Sequence, residues 1–255
     1  MSHIRRYFDR DSITREQRFQ EDTILRYEQL VRQEAISSLI NNKYQLALDV
    51  GCGNGRDFGM LLRCADKLIG IDFSQGMIKE TKYTANRLQS ESKTTLIMGD
   101  VTNLPFRANS VGFILCSEVL EHVPDWSRAP LEFYRVLNGN GELIVTTPNK
   151  ISMYGITRYA GRLLFGSKHP YDVWKSYFEI RDALKTAGFE IIGVKGACYL
   201  PGDISYYQPF KKMVVFSLKL FKLLETTFLS SLSPFKLLGY MVVIKARKPH
   251  LSFEN

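Results

Sequence analysis

No run of eighteen apolar residues free of charge occurs in the 255-residue chain, so no segment reads as clearly spanning a bilayer. Only four cysteines are present, Cys52, Cys64, Cys116 and Cys198, and none stands in C-x-x-C spacing. That scatter suggests neither a zinc site nor a disulfide framework. Internal repeats and low-complexity stretches are also missing. No G-x-x-x-x-G-K-[ST] loop occurs, and the dinucleotide pattern G-x-G-x-x-G fails too: counted from Gly51 its last position is Arg56, and counted from Gly53 it is Phe58. The opening residues, Met1-Ser-His-Ile-Arg-Arg6, are polar and charged rather than signal-like, and a cytoplasmic location is expected. At this length one domain buries a full core without staples.

The strongest positive signal is Leu46-Ala-Leu-Asp-Val-Gly-Cys-Gly-Asn-Gly55, an apolar strand running into three alternate glycines. Leu46, Ala47, Leu48 and Val50 suit a strand buried on both faces. Gly51, Gly53 and Gly55 permit unusual dihedrals and let a ligand approach where a Cβ would collide. A helix beginning near Gly55 would offer unpaired N–H groups to that ligand. A second short strand, Lys67-Leu-Ile-Gly-Ile71, ends at Asp72, whose carboxylate is placed to accept both hydroxyls of a ribose. The same aspartate also suits the N-cap of a helix from Gln75, and a glycine turn by itself equally serves a tight strand-to-helix connection.

Residues 10–41 space their apolar side chains close to helical periodicity, which predicts one or two helices ahead of the sheet, stopped at Asn41-Asn42. Strands are predicted near residues 46–50, 67–71, 94–98, 111–116 and 141–147. Such alternation of strands and helices demands an α/β fold with right-handed crossovers, and ligands then sit at the carboxyl ends of the strands. Ser176 to Gly188 reads as a helix ended by its glycine, leading into a strand from Phe189 to Val194.

Asp49-x-Gly-x-Gly-x-Gly55 resembles motif I of the class I S-adenosylmethionine-dependent methyltransferases. The resemblance continues in order through Ile71-Asp-Phe-Ser74, Gly99-Asp-Val101 with Leu104-Pro-Phe106, Phe113 to Ser117, Glu118 to Asp125, and Gly141 to Pro148, covering roughly residues 45–195. It implies a doubly wound seven-stranded sheet in the order 3-2-1-4-5-7-6, with helices on both faces and the last strand, Gly239 to Arg247, antiparallel. It implies S-adenosylmethionine as cofactor, held by Asp49, Gly51, Cys52, Gly53, Gly55, Asp72, Phe73, Met77, Asp100, Val101 and Ser117. Phe73 and Trp126 are candidates to help enclose it. Met77 as plain core and Asp100 as a turn residue are the structural alternatives. His122 is the candidate general base, because it follows the fourth strand and the unperturbed pKa of a histidine lies near neutrality; a structural histidine there is the alternative. Glu118, Glu121 and His122 resemble the E-x-x-E-H grouping that holds metal in ubiquinone O-methyltransferases and in a small-RNA methyltransferase family, but no further histidine follows before His169, and no metal is assigned.

One methyltransferase domain is expected over residues 1–255, with residues 1–44 as a helical lid and residues 150–175 and 200–237 as insertions. The first insertion is aromatic and basic, suited to acceptor contact, with Tyr154, Tyr159 and Phe165 as core in the alternative reading. Residues 210–229 wind into a basic amphipathic helix: Lys211, Lys212, Lys219 and Lys222 share one sector, and Met213, Phe216, Leu220, Phe221, Leu223, Leu224 and Phe228 lie opposite. Residues 195–255 hold nine Lys or Arg against three Asp or Glu, most of the chain's net +8. Peripheral contact with the inner membrane surface fits this pattern, as does packing on the domain or on a dimer mate. Neither Asn/Asp-Pro-Pro-Tyr nor Pro-Cys stands at Cys116-Ser117-Glu118, which argues against amine and pyrimidine C5 acceptors. The expected function is methyl transfer to an oxygen of a hydrophobic or lipid-linked small molecule. An RNA-modifying enzyme, less favoured because the lysines sit on an apolar helix, and a non-catalytic cofactor-binding adaptor are the alternatives.

Overall fold

The computed structural model describes residues 2–21, 23–152, 154–156, 159, 172–199 and 222–250. Seven strands form one sheet: β1 (Tyr44–Val50), β2 (Ala65–Asp72), β3 (Thr94–Met98), β4 (Val111–Ser117), β5 (Leu137–Pro148), β6 (Glu190–Ala197) and β7 (Met241–Arg247). Their order is β3-β2-β1-β4-β5-β7-β6, the order that the motif resemblance implies. β1 to β5 pair in parallel, and β7 runs antiparallel between β5 and β6.

Strand periodicity divides the core into two layers. Leu48, Val50, Ile114 and Cys116 face one cluster, which is closed by α5 (Ala129–Val136) and α6 (Tyr177–Thr186) through Phe133, Val136, Ile180 and Leu184. The alternate residues Ala47, Phe113 and Leu115 face the other cluster. That side is covered by α2 (Thr23–Ser37), α3 (Phe58–Leu61) and α4 (Gln75–Arg87). Helix starts follow local chemistry. Ser74 caps α4 by accepting from Met77 N at 3.1 Å, and Ser176 with Glu179 forms a reciprocal capping box on α6. Gly188 at φ +103° ends α6 as expected.

Several boundaries differ from expectation. The amino-terminal helices begin earlier, with α1 (Ser2–Glu21) preceding α2. The helix expected near Gly55 is a single turn, α3, starting only at Phe58, because Gly51, Gly53 and Gly55 all hold positive φ and spend the intervening residues in turns. β5 starts four residues early, at Leu137, where it pairs with Val111 across a register shift. The insertion at residues 150–175 lies largely outside the described residues, as do residues 210–221 of the amphipathic stretch. Of the three aromatics read as core there, Tyr154 packs against a tilted Trp174 ring and edge-on to Tyr240, Tyr159 is 65% exposed and so does not serve as core, and Phe165 lies outside the described residues. No helix among the described residues is long and apolar enough to cross a membrane.

Candidate active site

The loops after β1, β2, β3 and β4 meet at the carboxyl edge of the sheet. Gly51 N and Cys52 N donate to Ile71 O at 2.7 and 2.9 Å, which fastens the glycine turn to β2. Thr81 and Thr84 of α4 donate to the carbonyls of Gly53 and Asn54, bracing the turn from behind. A Cβ on Gly51 would collide with Val119, so the turn closes against the loop beyond β4 only with glycine there. At Gly53, φ +55°, a Cβ would meet nothing within 4 Å and would project into open space.

Gly53 lines a cavity that opens to solvent at this edge. Its walls include Gly51, Cys52, Gly53, Asp72, Phe73, Met77, Asp100, Val101, Ser117 and His122, so ten of the twelve candidate residues share one surface. Asp49 and Gly55 do not reach it. Asp49 is 2% exposed behind the turn, where burial and then the charge of Asp57 push its carboxyl well above the usual range. Gly55 backs onto Thr81 and Thr84. Both therefore shape the turn rather than line the cavity.

Asp72 accepts from Gly53 N and Ser74 N, each at 2.9 Å, one on each oxygen. Ser74 rather than Asp72 caps α4, and two oxygens offering about four lone-pair sites leave Asp72 capacity beyond these two bonds. Asp100 Oδ1 accepts from Thr102 N and Thr102 Oγ1, both at 2.8 Å, so the turn reading holds for it while it also faces the cavity. Met77 is 1% exposed and does both jobs in the same way. Trp126 stands away from the cavity walls, under Lys175 Nζ at 5.1 Å from its ring centre.

Helix α1 supplies a roof absent from the sequence reading in residue detail. Ile4 and Phe8 line the cavity and pack with Met77 and Phe73, and Phe8 meets His122 edge-on at 5.1 Å between ring centres. Asp9 fixes this roof, accepting from Ser74 Oγ at 2.6 Å and Gly76 N at 3.0 Å at the amino end of α4. A Cβ at Gly76 would press on Asp9 and Ser12, so the close approach of α1 needs glycine there.

A charged cluster backs one wall: Arg56, Asp57 and Glu118 line the cavity, and Arg32, which does not reach it, completes the cluster. Arg32 of α2 is 1% exposed and donates to both oxygens of Asp57, at 2.9 and 2.8 Å, and to Ser117 Oγ. Its Nε lies 3.5 Å from Glu118, which also pairs with Arg56. Burial pulls the Arg32 guanidinium down, but Asp57 and Glu118 outweigh it and hold the group firmly charged. Asp57 responds in kind: burial would raise it, and Arg32 and Arg56 bring it below the ordinary carboxylate value. Glu118 sits in the left-handed region, φ +57°, a strained position at the end of β4. Sequence reading passed over Arg32 because it lies in a polar stretch. Its signal was its place beside Val31, Ala35 and Ile36 on the buried face of α2.

Glu121, four residues past β4, is 1% exposed and its Oε2 has no hydrogen-bond partner. Burial, then the charge of Glu118, pushes its carboxyl well above the usual range. Among the described residues no three of His, Cys, Asp or Glu are grouped to hold a metal ion. Because the folded state raises this pKa, Glu121 favours folding at low pH, and that contribution is lost as pH rises from the unfolded value near 4.5 through the folded one. Glu121→Gln is thus expected to melt higher than the parent at neutral and alkaline pH and to lose the advantage below pH 4.5, a crossover that melting curves across pH would detect.

A seven-stranded sheet of this order, with a glycine-turn cavity at its carboxyl edge, defines a nucleotide-cofactor transferase architecture. Residues 48–145 match the model of a methyltransferase domain. The chain is 28% identical over 178 residues to the ubiquinone biosynthesis O-methyltransferase of Xanthomonas axonopodis, covering 67% of this chain and 73% of that one. It is 26% identical over 189 residues to the demethylmenaquinone methyltransferase of Oceanobacillus iheyensis, covering 66% and 78%. In fold it is similar to a solved S-adenosylmethionine-dependent methyltransferase of Thermotoga maritima, described as a possible histamine N-methyltransferase, with TM-score 0.68, 24% identity and coverage of 97% and 100%. The chain is a class I S-adenosylmethionine-dependent methyltransferase, and S-adenosylmethionine is its cofactor. The cavity fits that group: it offers the room left by Gly53, apolar walls at Ile4, Phe8 and Met77, and carboxylates at Asp72 and Asp100.

Proposed function

We propose that this enzyme methylates an oxygen of a hydrophobic or lipid-linked small molecule, with Asp72 and the glycine turn holding the adenosyl end of the cofactor and His122 taking the acceptor's proton. One observation carries the reading: Asp72, Gly53, Ser117 and His122 all open onto a single cavity roofed by Ile4 and Phe8. When bound, S-adenosylmethionine supplies an electrophilic methyl group. The chain must then orient the acceptor oxygen in line with it and exclude water. Asp72 would accept the ribose hydroxyls, and Asp100, Met77 and Phe73 would hold the adenine. Arg56, Asp57 and Glu118, held in place by Arg32, would face the polar methionine end. Ile4 and Phe8 keep water out. His122, beside Phe8 in the loop beyond β4, would take the proton that leaves the acceptor. The two quinone methyltransferases among the relatives support a hydrophobic acceptor, and the basic amphipathic residues 210–229 support delivery of a lipid-linked one by peripheral membrane contact. Residues 1–44 act as a lid in this reading, and residues 150–175 and 200–237 as acceptor-side insertions on one domain.

Incubating the enzyme with methyl-labelled cofactor and cell extract, followed by separation into lipid, RNA, protein and small-molecule fractions, tests the acceptor class. Label in the organic-soluble fraction is the expected result, and label confined to RNA sinks the reading. For the base, His122→Gln is expected to lower kcat by roughly a hundredfold or more while leaving cofactor affinity unchanged. Equal turnover in the variant would return His122 to a structural role.

A further inference from the structure

The apolar face of the amphipathic stretch has a described continuation. Residues 222–238 run along the outside of β6 and α2 as a short helix and tight turns. Glu225 and Ser230 turn inward, fully buried or nearly so. Leu223, Leu224, Phe228, Leu232, Phe235 and Leu238 turn outward, each between 46% and 62% exposed. Six large apolar side chains bared within sixteen residues form a concentration that monomer surfaces seldom tolerate without a partner. Leu223, Leu224 and Phe228 keep about half or more of their surface open.

Its placement adds a direction. β7 begins at Met241 opposite Pro148, the carboxyl end of β5, so the turn before it hangs at the carboxyl edge of the sheet. Asn149 Nδ2 holds that turn by donating to Leu237 O at 2.8 Å and Gly239 O at 3.2 Å. The apolar face and the cofactor cavity therefore share one edge of the molecule. The segment is also rigidly joined to the site: Tyr27 of α2 donates to Glu225 at 2.5 Å and Lys222 pairs with Glu34 of α2, while Arg32 of the same helix grips Asp57, Ser117 and Glu118.

We infer that residues 222–238 dock this enzyme on an anionic bilayer, with Phe228, Leu232 and Phe235 entering the interface and the cavity turned toward the membrane. Charge selects this occupant. Residues 210–238 contain Lys211, Lys212, Lys219, Lys222 and Lys236 against the single acid Glu225, which is buried and bonded to Tyr27. Lys222 is matched by Glu34, and the other four lysines still leave this stretch of sequence strongly positive. An anionic surface complements that excess, whereas a second copy would bring two segments of like charge together. The inference deepens the lipid-linked reading of the acceptor, but its docking claim stands on this surface alone.

Sedimentation with vesicles of phosphatidylglycerol and of phosphatidylcholine tests it on the full chain. Wild type is expected to co-sediment with phosphatidylglycerol, to release as salt rises, and to ignore phosphatidylcholine. Phe228→Ser/Leu232→Ser/Phe235→Ser is expected to lose binding by about tenfold or more. Each of these side chains is about half or more exposed, which keeps the cost of their removal to the fold small. Unchanged melting and unchanged affinity for S-adenosylhomocysteine would establish that the fold and cofactor site survive. Equal sedimentation of variant and wild type, or no binding by wild type, overturns the inference. So does a wild-type dimer that the variant dissociates, which would assign the face to a second copy. Vesicle binding together with methyl label in a water-soluble product would uphold docking and remove the lipid-linked acceptor.

Discussion

Asp72→Ala is expected to abolish useful cofactor affinity, a loss of about a hundredfold or more in calorimetric titration with S-adenosylhomocysteine. The carboxylate is 6% exposed and accepts from Gly53 N and Ser74 N, so it both shapes the glycine turn and faces the cavity. Two hydrogen bonds from ribose hydroxyls to a charged acceptor are worth about 1.5–3 kcal/mol each. Their joint loss exceeds two decades in affinity, since about 1.4 kcal/mol is tenfold. Asp72→Asn separates the two duties. Its amide keeps one acceptor oxygen, so the turn is expected to hold partly while affinity still falls. Affinity unchanged in Asp72→Ala would mean that the ribose lies elsewhere, and the assignment of every wall residue would have to be reconsidered.

The second large effect concerns stability. Arg32→Met leaves Asp57 and Glu118 in place with the neutralising guanidinium gone, and Asp57 is only 3% exposed. Breaking one side of a buried ion pair costs about 3–5 kcal/mol. In a chain of this size the melting temperature is then expected to fall by roughly 10 °C. Arg32→Lys keeps the charge but loses the two-pronged contact with Asp57, so an intermediate fall is expected. Adding Asp57→Asn to Arg32→Met should restore part of the loss, because the stranded carboxylate is removed with its partner. Additive losses in that double variant would show that Arg32 and Asp57 do not act as a pair.

Much of this site is written locally. The alternation of apolar strands with the three glycines and Asp72 is enough to place the cavity, because each residue's role depends on its immediate neighbours and on a topology that parallel strands nearly dictate. Asp49 and Gly55 show the limit of motif reading: both belong to the glycine-turn pattern, yet they brace the turn from behind. Arg32 and Asp9 were illegible for a different reason. Each works across a long stretch of chain, Arg32 to Asp57 and Glu118, and Asp9 to Ser74 and Gly76, and helical spacing says nothing about which distant loop a polar side chain will meet. The short α3 has a local origin instead, since three alternate demands for positive φ leave no room to start a helix at Gly55.

Ile4 and Phe8 reach the cavity wall only because α1 lies against Gly76, where any Cβ would press on Asp9 and Ser12. The height of the roof is thus set by the smallest side chain of α4, a residue that is not itself part of the cavity wall.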